Sequence, residues 1–168
     1  MNRREFFKRL PNMLLENAKE EKGLKNIIKL PYFLDEKAYL CKECEGFCQS
    51  VCEEKIIQRT EEGFPYIEFK TSGCTFCRVC IKACKYGVLQ EDAEDKIFVS
   101  VSIIPEKCFA WNKTICFSCS DVCLDTAVEF KGLFNPEILS YKCSGCGFCY
   151  VKCPASAIEL KPLEVKNG

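Results

Sequence analysis

Four cysteines near the C-terminal end of the sequence carry the clearest chemical signal: Cys143, Cys146, Cys149 and Cys153, with Pro154 directly after them. Their spacing, C-x2-C-x2-C-x3-C-P, is typical of cysteine thiolates that hold iron–sulfur clusters. Three thiolates at this spacing can reach one cluster from a single tight loop, whereas the fourth ligates a neighbouring cluster. Pro154 ends the loop, because it fixes φ and lacks an amide donor. The motif therefore predicts an iron–sulfur centre.

Three further groups of cysteines repeat this motif, so that all sixteen cysteines of the 168-residue chain fall into four groups. The second group has the same cysteine spacing as the fourth. The first group has one extra residue before its third cysteine, and the third group has seven residues between its first two cysteines. These groups are Cys41, Cys44, Cys48 and Cys52; Cys74, Cys77, Cys80 and Cys84; and Cys108, Cys116, Cys119 and Cys123.

A chain with so many cysteines is also compatible with a disulfide scaffold or with structural zinc. A disulfide scaffold requires an oxidising compartment and cysteines spread widely enough to reach distant partners. Here each group is compact and contains a C-x2-C pair, which favours convergence on a metal. A structural all-cysteine zinc protein stays an alternative, although zinc ribbons usually separate their two C-x2-C pairs by a long loop. The absence of histidine excludes Rieske centres, His-ligated haem and two-histidine zinc fingers.

The sequence around the cysteine groups is itself repeated. Residues 41–90 and 108–160 form two copies, in each of which an irregular cysteine group precedes a regular one. Residues 55–69 contain two β-rich runs around a turn that includes Gly63, which predicts a hairpin. The repeat predicts two tandem modules of about sixty residues each. Modules this small rarely fold by apolar burial alone, so cluster ligation should supply much of the folding free energy.

With these motifs in place, the chain resembles duplicated bacterial two-cluster ferredoxins. More closely, it resembles the NapF-type ferredoxin-like proteins associated with periplasmic nitrate reductases. The resemblance covers residues 41–160, and its more specific markers are the third group, CFAWNKTICFSCSDVC, and the ending CSGCGFCYVKCPASAI. It implies a cytoplasmic iron–sulfur protein that interacts with the catalytic molybdenum subunit before export. One departure is that only the fourth group ends in proline; Glu53, Lys85 and Leu124 stand at the equivalent positions.

The predicted fold class is α+β, with two tandem bacterial two-cluster ferredoxin-like modules preceded by a short N-terminal helical segment. The predicted divisions are a basic N-terminal segment at residues 1–37, a first module at residues 38–100 and a second module at residues 101–168. No enzymatic activity is predicted, because the sequence contains no Gly-rich phosphate loop, histidine base or dinucleotide fingerprint.

Four [4Fe-4S] clusters are the predicted cofactors, and the rule that the fourth cysteine crosses to the neighbouring cluster assigns every thiol. An alternative pairing joins the second group to the third and the first to the fourth, but the repeat favours sequential pairing. The predicted ligand sets are the Cys41 set (Cys41, Cys44, Cys48, Cys84), the Cys74 set (Cys74, Cys77, Cys80, Cys52), the Cys108 set (Cys108, Cys116, Cys119, Cys153) and the Cys143 set (Cys143, Cys146, Cys149, Cys123).

Several residues next to the ligands invite a functional interpretation. Aromatic side chains adjoin cysteines in every group, and we expect them to cover cluster faces and exclude water rather than to relay electrons. Trp111, inside the long spacer of the third group, is expected to cover its cluster in the same way. Lys85 either raises the reduction potential of a nearby cluster through its charge or is an ordinary solvated lysine.

The N-terminal ten residues, MNRREFFKRL, resemble a twin-arginine export motif. An export signal next requires 7–15 apolar residues, whereas this sequence becomes charged after five. We therefore favour a retained amphipathic segment that faces a partner protein or the anionic inner membrane surface. Residues 1–37 carry a net charge of +3 and the remainder −3, which argues against nucleic acid as the main ligand. No apolar run approaches the ~20 residues that a membrane span requires.

Two functions use the same sixteen cysteines. The first is support of the iron–sulfur or redox maturation of a nitrate reductase catalytic subunit in the cytoplasm, which the resemblance implies and the basic N-terminus favours. The second is general electron carriage at low potential in a respiratory chain. The predicted partner is thus a molybdoenzyme catalytic subunit or another redox protein, with peripheral attachment to the inner membrane as a further prediction.

Overall fold

The computed structural model describes residues 27–163 and shows short helices and strands joined by long loops. The predicted N-terminal helix and the arginine pair lie outside the described residues. A 3-10 helix, Asp35–Cys41, opens the cysteine-containing part of the chain. The four α-helices are α1 (Phe47–Ser50), α2 (Val79–Lys82), α3 (Ser118–Asp121) and α4 (Phe148–Lys152). The six strands are β1 (Ile57–Arg59), β2 (Pro65–Ile67), β3 (Val99–Ile103), β4 (Val128–Lys131), β5 (Phe134–Ile138) and β6 (Ile158–Pro162).

The strands form three antiparallel two-stranded sheets, so the predicted mixture of helix and strand is present. β1 pairs with β2, with Ile57 opposite Ile67, which confirms the hairpin predicted after Cys52. β4 and β5 form the corresponding hairpin in the second copy of the repeat. β3 pairs instead with β6, with Ile103 opposite Ile158, and so joins the middle of the chain to its C-terminal end.

The main hydrophobic core lies mostly in the N-terminal half of the described chain, which we define as residues 27–98, and also includes Val99 of β3. Ile97 is only 1% exposed, and no buried polar or charged residue occurs among the residues described. Five cysteines pack against this core, so the apolar interior and the cysteine loops form one continuous structure. The buried members of the core are Leu30, Tyr32, Ile56, Ile57, Ile67, Phe69, Ile81, Leu89, Ile97 and Val99.

Residues 28–33 belong to this packing, although the sequence-based division places them in the N-terminal segment. Ile28 forms an isolated bridge with Ile67, and Phe33 forms one with Leu89. The C-terminal half, residues 99–163, begins with β3. The exact limits at residues 37 and 100 stay predictions. None of the helices within residues 27–163 is long and apolar enough to cross a membrane.

Candidate iron–sulfur centres

The third cysteine of each group lies on one of the four short helices. Cys48 is on α1, Cys80 on α2, Cys119 on α3 and Cys149 on α4. The segment before each helix supplies the first two cysteines of the group, and Cys41 is the last residue of the 3-10 helix. This arrangement explains the C-x2-C spacing, because a loop that leads into a helical turn lets three thiols point to one side.

Left-handed residues shape these loops at equivalent positions in the two regular groups. Phe76 and Arg78 have φ of 52° and 60°, and Gly145 and Gly147 occupy the same positions of the fourth group with φ of 75° and 84°. Glycine adopts this conformation without steric cost, whereas other residues are strained in it. The second group therefore tolerates strain at two positions where the fourth group has glycine.

The C-terminal half contains two cavities, and each is lined by four cysteines. One cavity is lined by all four thiols of the Cys108 set, together with apolar residues such as Ile103 and Ile158. The other is lined by all four thiols of the Cys143 set, together with Val101, Ile138 and the carboxylate-bearing Asp125. In both cavities the fourth cysteine comes from the other group of the pair, as the crossing rule predicts.

The N-terminal half brings its cysteines together in the same crossed manner. Burial, followed by the nearby thiols of Cys48, Cys84 and Cys44, raises the pKa of Cys41 to about 11. Burial also raises the pKa of Cys74 to about 12, with further contributions from Cys80, Cys77 and Cys52. The thiols of each predicted set therefore lie near one another, and the sequential pairing of the cysteine groups stays a prediction. Ligation itself stays a prediction.

The raised pKa values of the cysteine thiols show that these sites need positive charge to hold the cysteines as thiolates. A thiolate in a buried apolar cavity is destabilised by lost hydration and by its like-charged neighbours. The pKa of Cys149 is raised to about 12 by burial and then by the nearby thiols of Cys146 and Cys143. Four thiolates in such a cavity need a multiply charged cation centre, and its binding must release protons.

Hydrogen-bond donors to sulfur also fit a cluster. The amide of Val88 donates to Cys84 Sγ at 3.3 Å, and those of Ala127 and Ala157 donate to Cys123 and Cys153 Sγ at 3.2 Å. The hydroxyl of Ser144 is buried without a hydrogen-bond partner. A buried donor of this kind suits a cluster sulfur, because such hydrogen bonds help to set the reduction potential.

All sixteen cysteines carry free thiols, and Cys77 is the one with an exposed side chain. Within residues 27–163, no group of three or more His, Cys, Asp or Glu side chains is arranged to hold a single metal ion. The two cysteine sets of the C-terminal half instead line cavities. All-thiolate ligation around a cavity fits the donor preference of iron–sulfur clusters.

Comparison with known proteins agrees with this geometry. Residues 40–88 match the family described as a 4Fe-4S dicluster domain, and residues 136–159 match the 4Fe-4S binding domain family. The ferredoxin-type protein NapF of Escherichia coli (strain K12) is 33% identical, over 82% of this chain and 87% of its own length. The ferredoxin-type protein NapF of Haemophilus influenzae is 32% identical, over 82% of this chain and 80% of its own.

This chain belongs to the NapF family of ferredoxin-type proteins. It is also 28% identical to the ferredoxin-type protein NapG of Haemophilus influenzae, over 84% of this chain and 61% of that protein. The predicted resemblance is therefore confirmed, as is the iron–sulfur character of the protein.

Two residues of this NapF-family chain place opposite charges near different cysteine sets. Lys85 directly follows Cys84, and its Nζ lies 4.0 Å from the centre of the Phe47 ring, between Cys44 and Cys48 in sequence. Asp125 lines the Cys143-set cavity and accepts the amide hydrogen of Ser144 at 2.8 Å. Lys85 was singled out from the sequence, whereas Asp125 and Ser144 were missed. The available signal for Asp125 was its position two residues after Cys123.

Neutralising these charges should move the two potentials in opposite directions. Asp125→Asn should raise the potential of the Cys143-set cluster by roughly 50–100 mV, because removing a nearby anion is worth about 1–2 kcal/mol at an effective dielectric constant near 20. Lys85→Gln should lower the potential of the Cys41-set cluster by less, since Lys85 is solvent-exposed and screened. EPR-monitored redox titration measures both shifts. Equal shifts of one sign in the two variants would contradict this assignment.

Trp111 has a different position from the one expected. It was predicted to cover the cluster of its group, but its Nε1 donates to the Pro136 carbonyl at 3.1 Å and ties the long spacer to β5. Phe109, two residues earlier, lines the Cys108-set cavity instead. An aromatic side chain therefore does lie at the Cys108-set cavity, but it belongs to Phe109, which the cysteine spacing alone did not indicate.

Proposed function

We propose that this protein is a four-cluster [4Fe-4S] ferredoxin-type protein built from two tandem two-cluster modules at residues 38–100 and 101–168. The observation that supports the proposal is that the thiols of each of the four predicted sets lie near one another. When bound, each cluster would accept or give up single electrons. The chain's own residues would ligate the metal, cover it with apolar side chains and donate amide hydrogens to the cysteine sulfurs.

The proposed role is to bind the catalytic subunit of a molybdenum nitrate reductase in the cytoplasm and to support its iron–sulfur or redox maturation before export. Membership of the NapF family supports this role. The charge distribution also supports it, because a basic segment at residues 1–37 on an acidic remainder offers a separate surface for a partner or for the inner membrane. We propose no enzymatic activity for the protein itself.

A general electron carrier is the second candidate, and the close contact between the two halves of the structure favours it. The two candidates differ in the partner that they should prefer. A maturation factor should bind a catalytic subunit that still lacks its cluster, whereas an electron carrier should bind the mature subunit at least as well.

An anaerobic pull-down of the nitrate reductase catalytic subunit separates these functions. The iron-loaded protein is expected to retain the cluster-free subunit severalfold better than the mature one, and iron-chelated protein should lose this binding. Deleting residues 2–10 should leave iron content unchanged but weaken retention, because it removes four cations that act over no more than about 10 Å at moderate salt. Preference for the mature subunit would favour electron carriage. Retention of neither form by fully loaded protein would contradict the proposed partner.

A further inference from the structure

The two halves of the chain meet directly at their cysteine loops. The amide of Cys74 donates to the carbonyl oxygen of Cys146 at 2.7 Å, and the amide of Ile97 donates to the carbonyl oxygen of Ser144 at 2.8 Å. Ile97 is among the most deeply buried residues of the described chain. The first of these bonds joins the backbone of a Cys74-set cysteine to the backbone of a Cys143-set cysteine.

Glycine makes this approach possible on both sides. A Cβ on Gly73 would lie 2.6 Å from the carbonyl oxygen of Cys146 and 2.7 Å from the amide nitrogen of Phe148. A Cβ on Gly147 would lie 2.5 Å from the ring of Phe69. These distances are far inside normal van der Waals contact, so any larger residue would push the two loops apart.

Each of the other two sets neighbours one of the two sets that meet at this contact. α1 packs against α2 within the N-terminal half, and α3 packs against α4 within the C-terminal half. These helices carry the third cysteines, so the Cys41 set neighbours the Cys74 set and the Cys108 set neighbours the Cys143 set. The hydrogen bond across the halves is made by the backbone of Cys146, which belongs to the Cys143 set.

We propose that the Cys74–Cys146 hydrogen bond is the electron-transfer junction between the two halves. The four sites then follow one another in the order Cys41 set, Cys74 set, Cys143 set and Cys108 set. The two internal sites, the Cys74 and Cys143 sets, connect the two modules. This inference rests on the proposed function, because electron transfer requires clusters to be bound at these sites. With clusters bound, one electron would leave the reduced site on one side of the hydrogen bond and would reduce the oxidised site on the other. No covalent bond changes and no proton has to move.

Paired cysteine variants of the full chain test the order. Cys44→Ser with Cys116→Ser should leave only the two internal sites loaded, and Cys77→Ser with Cys149→Ser only the two outer ones. After reduction with dithionite, EPR spectra of the first variant should show spin–spin splitting, and those of the second should not. Both carry the same expected iron content, so each is the matched control of the other. Splitting confined to the outer pair, or absent from a loaded internal pair, would overturn the proposal.

A glycine substitution tests the junction itself. Gly73→Ala should slow equilibration between the two halves severalfold, measured after rapid partial reduction, with iron and sulfide content unchanged. Gly132→Asn is the control, because Gly132 lies in the β4–β5 turn, an added Cβ there meets no atom within 4 Å, and asparagine tolerates the positive φ of this position. Unchanged equilibration in loaded Gly73→Ala protein would reject the junction. If Gly73→Ala loses clusters, the paired variants still decide the order. If the wild-type protein holds no clusters, the proposed function fails first.

Discussion

Removing iron from the anaerobically prepared protein should abolish its tertiary structure. Five cysteines pack directly against the main hydrophobic core, so the ligand loops are part of the same folded unit: Cys48, Cys52, Cys74, Cys80 and Cys84. Binding of a structural metal site is worth on the order of 10 kcal/mol, which is comparable to the whole stability of a small domain. Loss of four such sites therefore exceeds what the remaining apolar burial can offset.

Near-ultraviolet circular dichroism and visible absorption measure this loss during anaerobic iron chelation. The starting protein should hold about sixteen irons and about sixteen labile sulfides, four of each per cubane. Incubation with the same chelator after saturation with iron is the control for chelator binding to the chain. A native tertiary signal in iron-free protein would contradict the prediction. Two or fewer clusters after full reconstitution would reject the four-cluster proposal, and zinc without sulfide would support the structural zinc alternative.

The composition of the candidate sites was predictable from the sequence because ligand spacing is a local property. A C-x2-C-x2-C run can present three thiols to one point only through a tight loop and a following turn. The third cysteine of each group does lie on a short helix. The hairpin after Cys52 was predictable for the same reason, since its two strands and their turn are adjacent in the sequence.

The contacts between distant parts of the chain were not predictable in this way. No local pattern indicates that β3 pairs with β6, or that residues 28–33 complete the core of the N-terminal half. Gly73 illustrates the difficulty, because it reads as an ordinary glycine before a cysteine group. Its role depends on the carbonyl of Cys146, which belongs to the last cysteine group of the chain. Contacts between residues so distant in the sequence depend on how the two halves pack together, and the spacing of residues along the chain does not determine that packing.

Side chains around the cavities were predictable only in kind. Aromatic neighbours were expected at each cluster, yet Phe109 rather than Trp111 lines the Cys108-set cavity. The long spacer can place either ring near the site, and the choice depends on the carbonyl of Pro136, which accepts the indole hydrogen. Local spacing therefore predicted which thiols lie together more reliably than it predicted which aromatic side chain lines the cavity beside them.

A matched pair of serine substitutions should separate the two sites of the N-terminal half. Cys84→Ser is expected to eliminate the cluster of the Cys41 set and to leave that of the Cys74 set intact. Cys52→Ser should do the reverse. The physical reason is that Cys84 lies beside Cys41 and Cys48, whereas Cys52 lies beside Cys74 and Cys80. A hydroxyl is a poor ligand to iron at neutral pH, since it does not ionise as a thiol does.

Each variant should fall from about sixteen to about twelve irons, and EPR spectra of the reduced proteins should lose different components. Cys123→Ser, which belongs to the other half, is the control, because it should spare both N-terminal sites. Loss of the Cys74-set signal in Cys84→Ser, with the Cys41-set signal retained, would show that the fourth cysteine stays with its own group. Loss of both signals in both variants would mean that the two sites fold as one unit, and the control would then show whether this cooperativity crosses the Cys74–Cys146 contact.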